Sequence, residues 1–222
     1  MTSRSATRMP RPGTGDVRLR MGALGLSALG VQAVGTVDAV GPEVVGFAPG
    51  DRVAMREPNP RAGFQRMVSE RDLIGIPKDV SFEDAAAILP SGLIARTILK
   101  QLHTIGKGDR VIVTPDESGA DRFVAAWATH LGATVVDPAD RLGTETVIGP
   151  VDYRAGRRWR YGNGLAQMAS ADVFSVMRAG AFRSMPVSRH PLSAARQVQS
   201  DIEAGRTTGP VVLMPGVGDV AA

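Results

Sequence analysis

Residues 17–21 alternate apolar and polar positions: Val17, Leu19 and Met21 against Arg18 and Arg20. That is the pattern of a half-buried strand. Residues 34–40 repeat it, and Gly41-Pro42 ends it. A Gly- and Pro-marked turn at 46–50 leads into a strand at 52–54, and residues 64–68 and 73–76 add two more. Short strands at this spacing predict a small barrel. Residues 1–15 carry Ser, Thr, Arg, Pro and Gly with almost no apolar content, the composition of a disordered basic tail.

Beyond residue 80 the period changes. Ser81 reads as a helix N-cap with Glu83 and Asp84 in the first turn, ahead of apolar residues 85–89. Residues 91–102 keep helical spacing. A short apolar strand at 110–113, an amphipathic helix at 121–131 closed by Gly132, and a strand at 133–137 make one βαβ unit, expected to be parallel and right-handed. Residues 146–148 fit a third strand. Residues 153–168 read as irregular, 171–177 as helical, 193–204 as a helix capped by Gly205, and 211–214 as a closing strand.

Composition narrows the chemistry. The 222 residues contain no Cys, which removes disulfides, thiolate zinc sites, iron–sulfur clusters and a cysteine nucleophile. No apolar run approaches the ~20 residues of a transmembrane helix, and residues 1–15 hold no hydrophobic stretch that would make a secretory signal. A soluble, cytoplasmic protein without membrane contact is expected. The net charge is +4, and only Lys78, Lys100 and Lys107 among the 26 basic residues are lysines. The run from Tyr153 to Tyr161 interleaves Arg with aromatics, as nucleic-acid surfaces do. No helix-turn-helix or zinc-finger pattern accompanies it, so the run reads as a solvated basic loop. His103, His130 and His190 read as structural or solvated, and no Gly-x-Ser-x-Gly elbow is visible.

The words and their order resemble a family. Val34-Gly35-Thr36-Val37-Asp38-Ala39-Val40-Gly41-Pro42 is followed by Phe47-Ala48-Pro49-Gly50-Asp51-Arg52-Val53-Ala54, then by residues 76–86 and 105–113. His190-Pro191-Leu192 and Gly205-Arg206-Thr207-Thr208-Gly209 close the series. Over about two thirds of its length the chain resembles the medium-chain dehydrogenase/reductase superfamily, in its zinc-free quinone oxidoreductase branch. The resemblance implies an α/β protein with a GroES-like β-barrel domain and a Rossmann-like domain, here reduced to little more than its βαβ unit. The domain limits it implies are a tail at 1–15, a barrel domain at 16–107 plus 187–222, and a reduced Rossmann-like domain at 108–186.

The departures from that family shape the functional expectation. The second half of the Rossmann sheet is missing around 153–171, and half a sheet makes half a dinucleotide crevice. The glycine-rich phosphate turn of relatives aligns with Pro115-Asp116-Glu117-Ser118-Gly119-Ala120-Asp121, in which one glycine remains and three acids appear. Carboxylates there satisfy the helix dipole themselves and repel a pyrophosphate, at on the order of 1–4 kcal/mol per close contact. The Lys that follows the Thr-Thr-Gly word in relatives is Pro210, and Ile94 stands where relatives often carry Thr. Asp137 is the one retained residue that could bind a ribose hydroxyl. The zinc branch's Gly-His-Glu reads Gly30-Val31-Gln32, which excludes that metal.

These departures predict an enzyme without cofactor or metal, a cyclase, isomerase or dehydratase acting on a small organic substrate. By analogy with the superfamily's enoyl-reductase domains, that substrate would be polyketide-like and belong to secondary metabolism. Asp116, Glu117 and Asp121 are the candidate catalytic acids. Ser27, Ser91, Ile94, Tyr153, Trp159 and Tyr161 are the candidate substrate residues. Two alternatives stand beside this reading, a partner-binding protein without catalysis and an NADPH-dependent quinone or enone reductase. The superfamily's usual sheet-edge dimer is not expected, because that edge is missing.

Overall fold

The structure is a computed structural model describing residues 10–27, 30–57, 65–158, 163–185, 187–207 and 209–215. In chain order the first elements are β1 (Asp16–Ser27), β2 (Gly30–Val40), β3 (Arg52–Glu57), β4 (Gln65–Ser69), β5 (Ile74–Gly75) and α1 (Phe82–Thr97). Then follow β6 (Arg110–Val113), α2 (Ala120–His130), β7 (Thr134–Val135), β8 (Thr146–Ile148), α3 (Pro150–Arg158) and α4 (Asn163–Arg178). The chain closes with β9 (Ser188–Pro191), α5 (Ala195–Glu203) and β10 (Val211–Met214).

Seven strands make the larger sheet, in the order β5-β3-β2-β1-β10-β9, with β4 also on β1. The edge of β1 away from β2 is shared. Its first half, from Asp16 to Arg20, pairs with β4, and Leu24 to Leu26 pair with β10. The path ends at β5 on one side and β9 on the other, so the expected barrel is not closed among the described residues. Short strands alone do not dictate closure, because each end needs a neighbour in register. Val17, Leu19 and Met21 face one core with Val53, Leu73, Val198 of α5 and Leu213.

From Ala23 onward both faces of β1 are covered, because α1 crosses the second face. Ser81 caps that helix, its Oγ accepting the Asp84 N–H at 2.9 Å. α1 continues past Pro90, which the sequence pattern had made a break, and is buried on nearly all sides. A helix apolar all round belongs in the middle of a core. Gly92 lets α4 approach it, since a Cβ there would lie 2.5 Å from Val173 Cγ1.

The smaller sheet is parallel, in the order β7-β6-β8. Residues 153–168, expected to be irregular, belong to α3 and α4 except for the undescribed ones between them. The arginines of α3 hide its buried stripe, Tyr153 and Gly156 three residues apart, which packs on Ile94 and Ile98. Between β7 and β8 the chain is short. Glu145 organises it by accepting the Leu142 and Gly143 N–H groups, each at 2.9 Å, and pairing with Arg110. Among the described residues no helix is long and apolar enough to cross a membrane.

Candidate functional site

The strand order of the smaller sheet decides where a site can form. β6 has a neighbour on each side, β7 reached through α2 and β8 reached by the loop that Glu145 holds. The direction of winding therefore reverses beside β6, and ligands of open α/β sheets bind at such a switch point, outside the carboxyl ends of the strands. The half-crevice expected from the sequence is corrected: β8 supplies the strand on the far side.

A cleft of about 510 Å³ opens on the β7 side of that point, against the turn that leaves β6 and the start of α2. Gly25, Leu26 and Ser27 at the end of β1 form one wall, with Ala86, Pro90 and Ser91 of α1. The turn from Pro115 to Gly119 and the first turns of α2 form the opposite wall. Met185, Ile202, Thr207 and Gly209 lie along the rim.

Five sequence-predicted residues come together on this cleft: Asp116, Glu117, Asp121, Ser27 and Ser91. Ile94 does not, because it is buried against Gly156 between α1 and α3. Neither does Tyr153, which is fully buried with its hydroxyl donating to the Thr114 carbonyl at 3.0 Å. Burial, with the nearby charges of Asp121, Asp116 and Asp152, pushes the Tyr153 phenol above its ordinary range. Trp159 and Tyr161 lie outside the described residues. Asp137 is turned away from the cleft's chemistry and caps the 138–140 turn through the Ala139 N–H at 2.8 Å. Arg122, Phe123, Met185 and Thr207 were not singled out. Arg122 and Phe123 are neighbours on α2, while Met185 and Thr207 come from distant segments, and only the fold assembles them.

The three acids do not form a bare cluster. Asp116 is almost wholly buried and accepts Arg157 Nη1 at 3.0 Å, while its other oxygen takes the Ser118 N–H at 3.2 Å and the Ser118 hydroxyl. Its charge is met by Arg157 from α3 and by Ser118 within the turn. Asp121 is half-buried, and that desolvation raises its carboxyl above the usual carboxylate range against the opposing pull of the Arg122 and Asp121 N–H groups. Glu117 is exposed. Of the repulsion expected to exclude a pyrophosphate, the share of Asp116 is offset by Arg157.

The turn also offers what an anion needs. Gly119 takes a left-handed φ of 73° and α2 begins facing the cleft, with the Asp121 carboxylate drawing on the Asp121 and Arg122 N–H groups of its first turn. Arg122, one turn further, brings a cation to the same wall. The residues present fit the diphosphate portion of a dinucleotide.

No family model matches the chain. It is 33% identical over 149 residues to a 2-haloacrylate reductase of a Burkholderia species, covering 56% of this chain and 45% of that protein. It is 30% identical over 145 residues to a quinone oxidoreductase of Pseudomonas aeruginosa, covering 56% and 44%. The chain thus spans less than half the length of these relatives. Among solved structures, Escherichia coli quinone oxidoreductase complexed with NADPH superposes with a TM-score of 0.73 at 16% identity, over 94% of both chains. The chain is similar in sequence to reductases and oxidoreductases over part of their length, and shares the fold of a quinone oxidoreductase. Its resemblance to the quinone oxidoreductase branch is the one the sequence words indicated.

These similarities overturn the cofactor-independent cyclase, isomerase or dehydratase reading. The sequence relatives are reductases and oxidoreductases by name, and a cleft opens against the turn after β6, where the sequence reading placed no cofactor. The polyketide substrate inferred with it goes as well.

Proposed function

We propose that this chain is, or is part of, a nicotinamide-dependent reductase of electron-poor carbon–carbon double bonds, of the quinone or enone kind. The observation that carries the reading is the cleft's position, against the turn that leaves a parallel strand and the start of α2. The names of the sequence relatives support the choice of reaction.

In this reading the backbone at Gly119 and Ala120, with Arg122, holds the diphosphate, and Thr207 and Gly209 close over it from the returning segment. A bound reduced nicotinamide supplies a hydride. The chain's own residues bind, orient and exclude water. Leu26, Ala87, Phe123 and Met185 give an apolar bed for an uncharged ring. Ser27 and Ser91 place hydroxyls at its edge. The test is NADPH oxidation followed spectroscopically with menadione, and separately with an open-chain enone. Turnover with either supports the proposal, and absence of turnover with both in a folded, NADPH-saturated sample contradicts it.

A further inference from the structure

The long central helix does not end evenly. Past Thr97, the last residue of α1, it widens over Ile98–Leu102, and the His103 N–H bonds the Ile98 carbonyl five residues back, at 3.1 Å. A widened turn of this kind is rare and occurs disproportionately at functional sites. Here it ends on His103, and Thr104 then turns the chain with a φ of 52°. The His103 ring meets the start of α3. Its Nε2 lies 2.8 Å from Asp152 Oδ1, and an ionised carboxylate can only accept, so the ring nitrogen donates. Asp152 Oδ2 accepts the Gly149 N–H at 2.8 Å, which caps α3. One carboxylate thus starts the helix and fastens it to the end of its neighbour.

α3 needs that fastening. Its nine residues are too few to be stable as an isolated helix, and Tyr153 with Gly156 makes up its buried stripe. Yet α3 holds the turn after β6 at two points. The Tyr153 hydroxyl donates to the Thr114 carbonyl at 3.0 Å, and Arg157 Nη1 donates to Asp116 Oδ1 at 3.0 Å. Asp116 in turn accepts the Ser118 N–H at 3.2 Å through its side chain and the Gly119 N–H at 2.9 Å through its carbonyl.

We propose that His103 is a positioning residue for the turn at 115–119, acting through Asp152 and α3. His103 itself is not among the residues that line the cleft, whereas the whole of that turn is. Without the His103 bond, α3 is free to rock about Gly149. Rocking withdraws Arg157 and leaves the nearly buried Asp116 carboxylate without its cation on the wall that would meet a diphosphate. The consequence for cofactor binding rests on the proposed reductase reading; the mechanical link does not.

The test is hydrogen exchange of the ligand-free protein at the amides of 116–119, in His103→Leu and His103→Gln. Leucine removes the donor, and glutamine returns an N–H at a similar reach. Exchange there is expected to be about ten-fold faster in His103→Leu and near wild type in His103→Gln, with β1 and β2 unchanged in both. In an Arg157→Ala background His103→Leu should add little, because the main link it cuts is already gone. NADPH should bind His103→Leu several-fold more weakly than wild type. Asp152→Asn serves if the leucine variant does not fold. Wild-type exchange at 116–119 in a folded variant overturns the proposal. So does acceleration spread evenly over β1 and β2, full addition in the Arg157→Ala background, or undiminished NADPH affinity. Because exchange is read without cofactor, failure of the wild type to bind NADPH counts against the reductase reading alone.

Discussion

Arg157 of α3 reaches across to Asp116 in the turn after β6, its Nη1 lying 3.0 Å from Oδ1 and 3.2 Å from Oδ2. The pair ties the turn after β6 to α3, on the two sides of the switch point of the smaller sheet. With the Ser118 N–H and hydroxyl on the same carboxylate, Asp116 takes up donors that an incoming phosphate would also use. Competition between an internal and an external anion follows.

Asp116→Asn keeps the shape of the turn and removes its charge, so NADPH is expected to bind about ten-fold more tightly. Arg157→Ala leaves a nearly buried carboxylate without its cation and is expected to weaken binding by at least that factor. Calorimetric titration of both variants checks the pair. Equal affinity in wild type and Asp116→Asn would remove the competition.

Tyr153→Phe separates a structural from a substrate role. The lost bond to the Thr114 carbonyl is expected to cost about 1 kcal/mol in urea unfolding. The KM for a quinone should not move, because the ring lies outside the cleft.

At Gly25 the spacing of sheet and helix leaves no room for a side chain. Gly25→Ala is expected to push β1 from α1 and lower stability by about 1–3 kcal/mol, with loss of substrate binding. Unfolding curves and menadione titration report the two effects separately.

Glu145 makes stability depend on acid pH. The Leu142 N–H, followed by the Gly143 N–H and Arg110, holds its carboxyl at about 2 in the folded chain, below the ordinary 4.5. The folded value is the lower one, so this contribution is complete above about 4.5 and is lost as pH falls toward 2. Melting temperature is expected to drop through that window, and Glu145→Gln should lower it at neutral pH and flatten that part of the profile.

Much of this architecture was legible along the chain, where periodicity and burial agree. β6 and α2 stand where an apolar run and an amphipathic period placed them. α1 was read in two pieces because Pro90 normally interrupts a helix, whereas burial on all sides carries this one through. α3 was missed because Arg154, Arg157 and Arg158 outweigh two inward positions in so short a segment. Three residues at 146–148 indicate a strand but not its neighbour, and its pairing with β6 rather than β7 restores the crevice. The acids of the turn were found, but their meaning was not. The Arg157 that neutralises Asp116 is 41 residues away and becomes its partner only through that same pairing.

The most direct test of the account is calorimetric titration of the wild-type chain with NADPH and NADH. The switch-point cleft and the neutralised Asp116 predict saturable binding of at least one of them at micromolar concentrations. No heat of binding from either up to millimolar concentration would contradict the account and leave the cleft without the cofactor its position implies.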